Sequence, residues 1–147
     1  MSKYFSFNKF KEIKHENNVY FVIAQIVNFS ELSSELSFQE IDIVNSKISE
    51  KIISHLERDE QVYKNDEDEY NIVLFAKDEK QLHHRLEYIL KDIDSIEYNS
   101  YKVDSLCAAI SCNVDGVFNI VEAQKKLREF MDDANELEKV VIFDAKE

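Results

Sequence analysis

The sequence predicts an α/β (α+β) fold, a mixed central sheet of about five strands with helices on its faces. Three observations carry that reading. Nearly continuous apolar runs rich in β-branched residues, over 19–27, 70–75 and 140–143, read as buried strands. Between them, apolar residues recur at helical spacing. Four consecutive acids, Asp66-Glu67-Asp68-Glu69, stand directly before the second run. That arrangement reads as an acidic, solvated turn that closes a β-hairpin.

Each element follows in order. Residues 5–17 read as a short amphipathic helix or lead-in that Asn17-Asn18 breaks. The run over 19–27 is a central strand covered on both faces. Ser33, Ser34 and Ser37 each offer an N-cap for the next helix. Its buried face is marked by Leu36, Ile41, Val44, Ile48, Ile52 and Leu56, and Arg58-Asp59-Glu60 ends it. Residues 61–64 and 70–75 flank the acidic turn. Leu82, Leu86, Ile89, Leu90, Ile93 and Ile96 mark a second core helix, which Asn99-Ser100 breaks. Residues 103–114 read as one strand, with a short partner before it as an option, and Asp115-Gly116 as a turn. Val121, Leu127, Phe130, Met131 and Ala134 mark a third helix, and 140–143 a last strand. No linker, repeat or low-complexity segment intervenes, so residues 1–147 are expected to form a single domain.

Composition excludes several functions. The chain has 147 residues, 44% hydrophobic and 12% aromatic, enough for one core. No apolar run approaches the ~20 residues that span a bilayer, and the N-terminus lacks a signal-peptide core. A cytoplasmic location without membrane insertion is expected. The net charge of -12 opposes nucleic-acid binding, since the 18 basic residues are scattered and only Lys125-Lys126-Arg128 cluster locally. Cys107 and Cys112 lie five apart in the predicted strand, hence on opposite faces, and read as buried free thiols. His15, His55, His83 and His84 show no zinc spacing with them; His83-His84 read as solvent-facing helix positions. With one glycine, Gly116, and no proline, the chain holds no glycine-rich phosphate loop.

The element order and several local motifs resemble the GGDEF domain of diguanylate cyclases, over roughly residues 7–144. Asp66-Glu67-Asp68-Glu69-Tyr70 stands where the family carries its Gly-Gly-Asp-Glu-Phe signature. Gln25-Ile26-Val27-Asn28-Phe29-Ser30 stands where the family's first strand ends in Asp-x-Asp-x-Phe-Lys. Val140-Val141-Ile142-Phe143-Asp144 is similar to the closing strand, and Asn8-Lys9-Phe10 to the domain start.

That resemblance implies joining two GTP molecules into cyclic di-GMP across a dimer, on metal ions held by carboxylates. Carried over residue by residue, the site departs from the family. The first metal carboxylate falls on neutral Gln25; the second survives as Asp68, with its neighbour Glu69. The guanine-reading pair falls on Ser33 and Asp42. The two glycines fall on Asp66 and Glu67, which add bulk and negative charge. The triphosphate-binding lysine and arginine fall on Asp133 and Leu137. The product-inhibition pair falls on Glu57 and Glu60, with Arg58 one residue out of register. Asp42 and Asp133 also read simply as surface residues.

The expectation is a degenerate, catalytically inactive GGDEF-like domain. Its role would be regulation or protein interaction in bacterial cyclic di-GMP-related signalling, without a cofactor. Asp68 and Glu69 are the weak metal candidates. The implied partners are a protein or a neighbouring signalling domain, such as an EAL or DHH-type phosphodiesterase, with a homodimer as a further option. The ends of the chain fall near family domain boundaries, as expected for a domain excised from a longer protein or for a small standalone one. The alternatives are a nucleotide or metal sensor with an altered site, drawing on Lys125 or Lys126, and a residual nucleotide-processing enzyme. A related ferredoxin-like fold without a cyclic-nucleotide link is the third reading.

Overall fold

In a computed structural model, residues 18–114, 117–134 and 136–144 are described. The helix or lead-in expected over 5–17 and the turn at Asp115-Gly116 lie outside them. A five-stranded mixed sheet runs in the order β2-β3-β1-β6-β9, with β1 at its centre. Its strands are β1 (Asn18–Ile26), β2 (Gln61–Asp66), β3 (Glu69–Ala76), β6 (Ser105–Ser111) and β9 (Val140–Phe143). Only β6 and β9 are parallel; the other neighbours are antiparallel.

Alternation along β1 builds two cores. Tyr20, Val22, Ala24 and Ile26 face one cluster, and Val19, Phe21 and Ile23 the other. The first cluster is covered by α1 (Phe29–Glu35), α2 (Phe38–Ser54) and α3 (Glu79–Asp94); the second by α4 (Ile120–Asp133). Three helices start on side-chain caps. Ser37 and Glu40 form a reciprocal capping box on α2, Asp78 accepts from the Gln81 amide on α3, and Asn119 accepts from the Glu122 amide on α4. Two small hairpins complete the chain: β4 (Glu97–Tyr98) with β5 (Tyr101–Lys102), and β7 (Asn113–Val114) with β8 (Val117–Phe118).

Several expectations are corrected. The long helix from Leu36 is two helices: Leu36 caps α1, Ser33 and Ser34 lie inside α1, and Ser37 is the N-cap of α2. The helix ends at Ser54, before Leu56 and Arg58. Residues 103–114 are not one strand, because β6 ends at Ser111 and β7 turns into a hairpin. Val121 is 66% exposed; Ile120 and Ala123 take the core positions, and Ala134 follows the end of α4. The first strand stops before Val27, which is half exposed.

The expectations for the thiols and the paired histidines hold. Cys107 and Cys112 are free, buried and in opposite clusters. Burial pushes the Cys107 thiol up to about 12 and the Cys112 thiol higher still. His83 and His84 are exposed on α3. No helix among the described residues is long and apolar enough to cross a membrane.

Candidate functional site

The β2–β3 turn is built without glycine. Glu67 and Asp68 are its two central residues, and none of Asp66, Glu67, Asp68 or Glu69 takes a positive φ. Tight two-residue hairpins usually need positive φ, which Asp and Glu adopt poorly. Here the register shifts between Lys64 and Asp66, leaving Asn65 as an extra residue in β2. The Lys64 ammonium then donates to the carbonyls of Asp66, at 2.7 Å, and Glu67. It also lies 5.3 Å from the centre of the Tyr70 ring. Partial desolvation lowers the Lys64 pKa, and the charges of Asp68, Glu67 and Asp66 oppose that shift. The Ile26 amide donates to the Asp68 carbonyl at 2.8 Å, tying the turn to the end of β1.

The four acids are not all in a solvated turn. Asp66 and Glu67 are exposed and Asp68 is half-buried, but Glu69 is the first residue of β3 and is 7% exposed. The sequence expectation is corrected there for a physical reason. Glu69 faces α4, where the Arg128 guanidinium donates to both its oxygens, one at 3.0 Å. Those hydrogen bonds raise the Arg128 pKa. Gln25 is the cross-strand neighbour of Glu69. Tyr70, the residue after Glu69, is buried. Its hydroxyl sits 3.3 Å from the carbonyl and side-chain oxygens of Asn45, and burial pushes it up to about 12.

On the other side of the turn, α1, the start of α2 and β2 enclose a cavity of about 450 Å³. Ser33, Asp42 and Glu67 line it together with Lys64, Ile41 and Phe38. The structure therefore brings three of the sequence-predicted positions into one pocket. Phe38, at the first position of α2, is 92% exposed. Ser33 is engaged by its own helix, donating to the Ser30 carbonyl at 3.2 Å. Asp133 does not join them. It is the exposed last residue of α4 and does not line this cavity, while Leu137 packs against the second core cluster.

Glu57 and Glu60, on which the resemblance laid a product-inhibition pair, take part in a different pairing. Glu60 is buried and accepts from the backbone amides of Glu57 at 2.7 Å and Phe75 at 2.8 Å, and from Arg85 on α3. Arg58 is 96% exposed and pairs only distantly with Asp59. Sequence reasoning missed Arg85 and Arg128 as partners of these acids, since a basic residue on an amphipathic helix reads as solvated surface, alone like Arg85 or in a short cluster like Arg128. Among the described residues, no group of three or more His, Cys, Asp or Glu side chains converges to hold a metal ion.

No family model matches the sequence, and no curated protein matches it. Solved structures do share its fold. The active GGEEF domain of a Vibrio cholerae diguanylate cyclase matches with a TM-score of 0.71 at 14% identity, over 92% of this chain and 90% of that one. The GGDEF domain of DgcB from Caulobacter crescentus, solved in complex with c-di-GMP, matches at 0.66 and 12% identity, over 95% and 85%. The diguanylate cyclase SiaD from Pseudomonas aeruginosa, solved with its activator SiaC, matches at 0.67 and 11% identity, over 92% of this chain and 53% of SiaD. This chain is a GGDEF-like domain in fold: a five-stranded mixed sheet flanked by four described helices, with the signature turn on a hairpin.

Proposed function

We propose that this domain is a catalytically inactive GGDEF-like module that regulates, or docks onto, proteins of cyclic di-GMP-related signalling. The observation that carries the proposal is the Arg128 guanidinium on Glu69. The family's chemistry needs divalent cations between carboxylates and phosphates. Here a protein cation already neutralises one acid, and the cross-strand neighbour is neutral Gln25. This donor set does not fit a metal pair. The exposed acids Asp66 and Glu67 would also repel a triphosphate. SiaD, solved in complex with its activator SiaC, is a precedent for a protein partner of a chain that contains this fold. The partner surface is open to a signalling protein, a neighbouring domain or a second copy.

A second reading has its own observation. Ser33 and Asp42 share the 450 Å³ cavity with exposed Phe38, which offers a ring face to a nucleobase. A sensor that binds a guanine-type base without metal would use that cavity. Calorimetric titration with GTP, with and without Mg²⁺, separates the readings. The proposal expects no heat up to about 1 mM GTP and no cyclic di-GMP in the mixture. Equal heat with and without Mg²⁺, lost in Asp42→Ala, supports the sensor. Micromolar binding that requires Mg²⁺ and is lost in Asp68→Ala overturns both.

A further inference from the structure

On the opposite face of the sheet, a second cavity of about 320 Å³ opens between α4 and the β2–β3 hairpin. Its α4 wall is the row Val121, Gln124, Lys125 and Arg128, at helical spacing. Its floor is Ile23 of β1 and Asn71 of β3, and the bulge residue Asn65 lines it as well.

Two features mark it as a built site. First, Asn71 is 1% exposed. Its amide nitrogen donates to the Tyr63 hydroxyl at 3.0 Å, but its Oδ1 has no hydrogen-bond partner. A buried acceptor without a partner is costly, and native interiors rarely tolerate one unless something fills it. Second, the lining is cationic. In a chain of 30 acids and net charge -12, this cavity is lined by Lys125 and Arg128 and by no acid. Arg128 is held by Glu69, while Lys125 has no ion-pair partner among the described residues.

We propose that this cavity binds a small organic hydroxy acid. A ligand hydroxyl donates to Asn71 Oδ1, a carboxylate meets the Lys125 ammonium, and the methylenes lie over Ile23 and Val121. The site is separate from the Ser33–Asp42 cavity, so it stands whether or not that pocket binds a nucleotide. Arg128 joins the two regions, because it lines this cavity while holding the signature-turn acid.

The probes are L-malate and succinate, which differ by one hydroxyl. Both are titrated into the whole labelled chain and followed by amide NMR shifts. Malate should move the amides of Asn71, Gln124 and Lys125, and bind at least about tenfold tighter than succinate. Lys125→Gln should weaken malate binding about tenfold. Asn71→Leu should erase the preference for malate while raising the unliganded Tm by about 3 °C, because it removes the buried Oδ1 that has no partner. The comparison on the unaltered chain does not depend on how the variants fold. Equal binding of malate and succinate, or no shift at on the order of 10 mM malate, overturns the proposal. So does a malate preference that survives in Asn71→Leu.

Discussion

Two glutamate–arginine pairs bracket the β2–β3 hairpin, and they are built to opposite specifications. At the open end, the Glu60 side chain has no exposed surface and that of Arg85 is 17% exposed. Glu60 also accepts two backbone amides, and Arg85 also donates to the carbonyls of His55 and Phe75, each at 3.0 Å. At the turn end, the side chain of Arg128 is 38% exposed, and among the described residues it hydrogen-bonds Glu69 alone. The first pair fastens α3 to the sheet, with Glu60 accepting from the amides of Glu57 and Phe75 and Arg85 donating to the carbonyls of His55 and Phe75. The second pair neutralises an acid and little else. One residue combination therefore serves as a structural joint where both side chains are shut off from water and as an exchangeable counter-charge where the arginine still meets it.

The largest predicted effect breaks the joint. Arg85→Ala leaves the Glu60 carboxylate buried and unpaired, so urea unfolding should show a loss of about 3–5 kcal/mol. Replacing both residues by apolar ones should not restore stability. The amides of Glu57 and Phe75 would then lose the Glu60 carboxylate as acceptor, unlike the usual case of a buried pair exchanged for packing. A loss below about 1 kcal/mol in Arg85→Ala would put the two pairs in the same class.

Alkaline pH leaves both arginines charged, since their acids raise their pKa values. It should unfold the molecule through other groups. The thiol of Cys107 is raised from 9.0 to about 12, that of Cys112 is raised further, and the Tyr70 phenol is raised from 10.0 to about 12. A folded pKa above the unfolded one means that the native state holds the proton more tightly. The associated stability is complete below pH 9 and is lost as pH rises towards 12. From pH 9 to pH 10 the two thiols together should cost about 2–3 kcal/mol, read as a falling urea midpoint. Cys112→Ala should make that limb shallower, and an unchanged slope would show that the thiol is not the titrating group.

The same contrast explains what the sequence could and could not reveal. Val140–Phe143 is legible as a strand because a short run without polar residues has few other uses. The capping box at Ser37 is legible in type, but three serines compete for it, and the seven-residue α1 before it is too short for periodicity to register. The turn acids and the Ser33–Asp42 pocket positions emerge from motif spacing. Arg85 and Arg128 do not, because their acids lie 25 and 59 residues away and only the folded sheet brings them together. Asn71 is hidden for a related reason. Within an apolar strand, one amide reads as a tolerated exception until its buried oxygen is found without a partner.

The smallest predicted effect tests whether the Glu69–Arg128 pair is exchangeable. Arg128→Ala should cost less than Arg85→Ala, about 1–2 kcal/mol: it leaves buried Glu69 unpaired, but more than a third of the arginine side chain already faces water. The loss should shrink further in 1 M NaCl, where the Debye length is about 3 Å, while the cost of Arg85→Ala should not change. With its guanidinium gone, Glu69 lies beside half-buried Asp68 with no protein cation on it, so Mn²⁺ should raise the Tm of Arg128→Ala and leave the unaltered chain unmoved. If Mn²⁺ stabilises both equally, Arg128 is not what keeps a metal from the turn. If it stabilises neither, neutral Gln25 beside Glu69 is enough to exclude one.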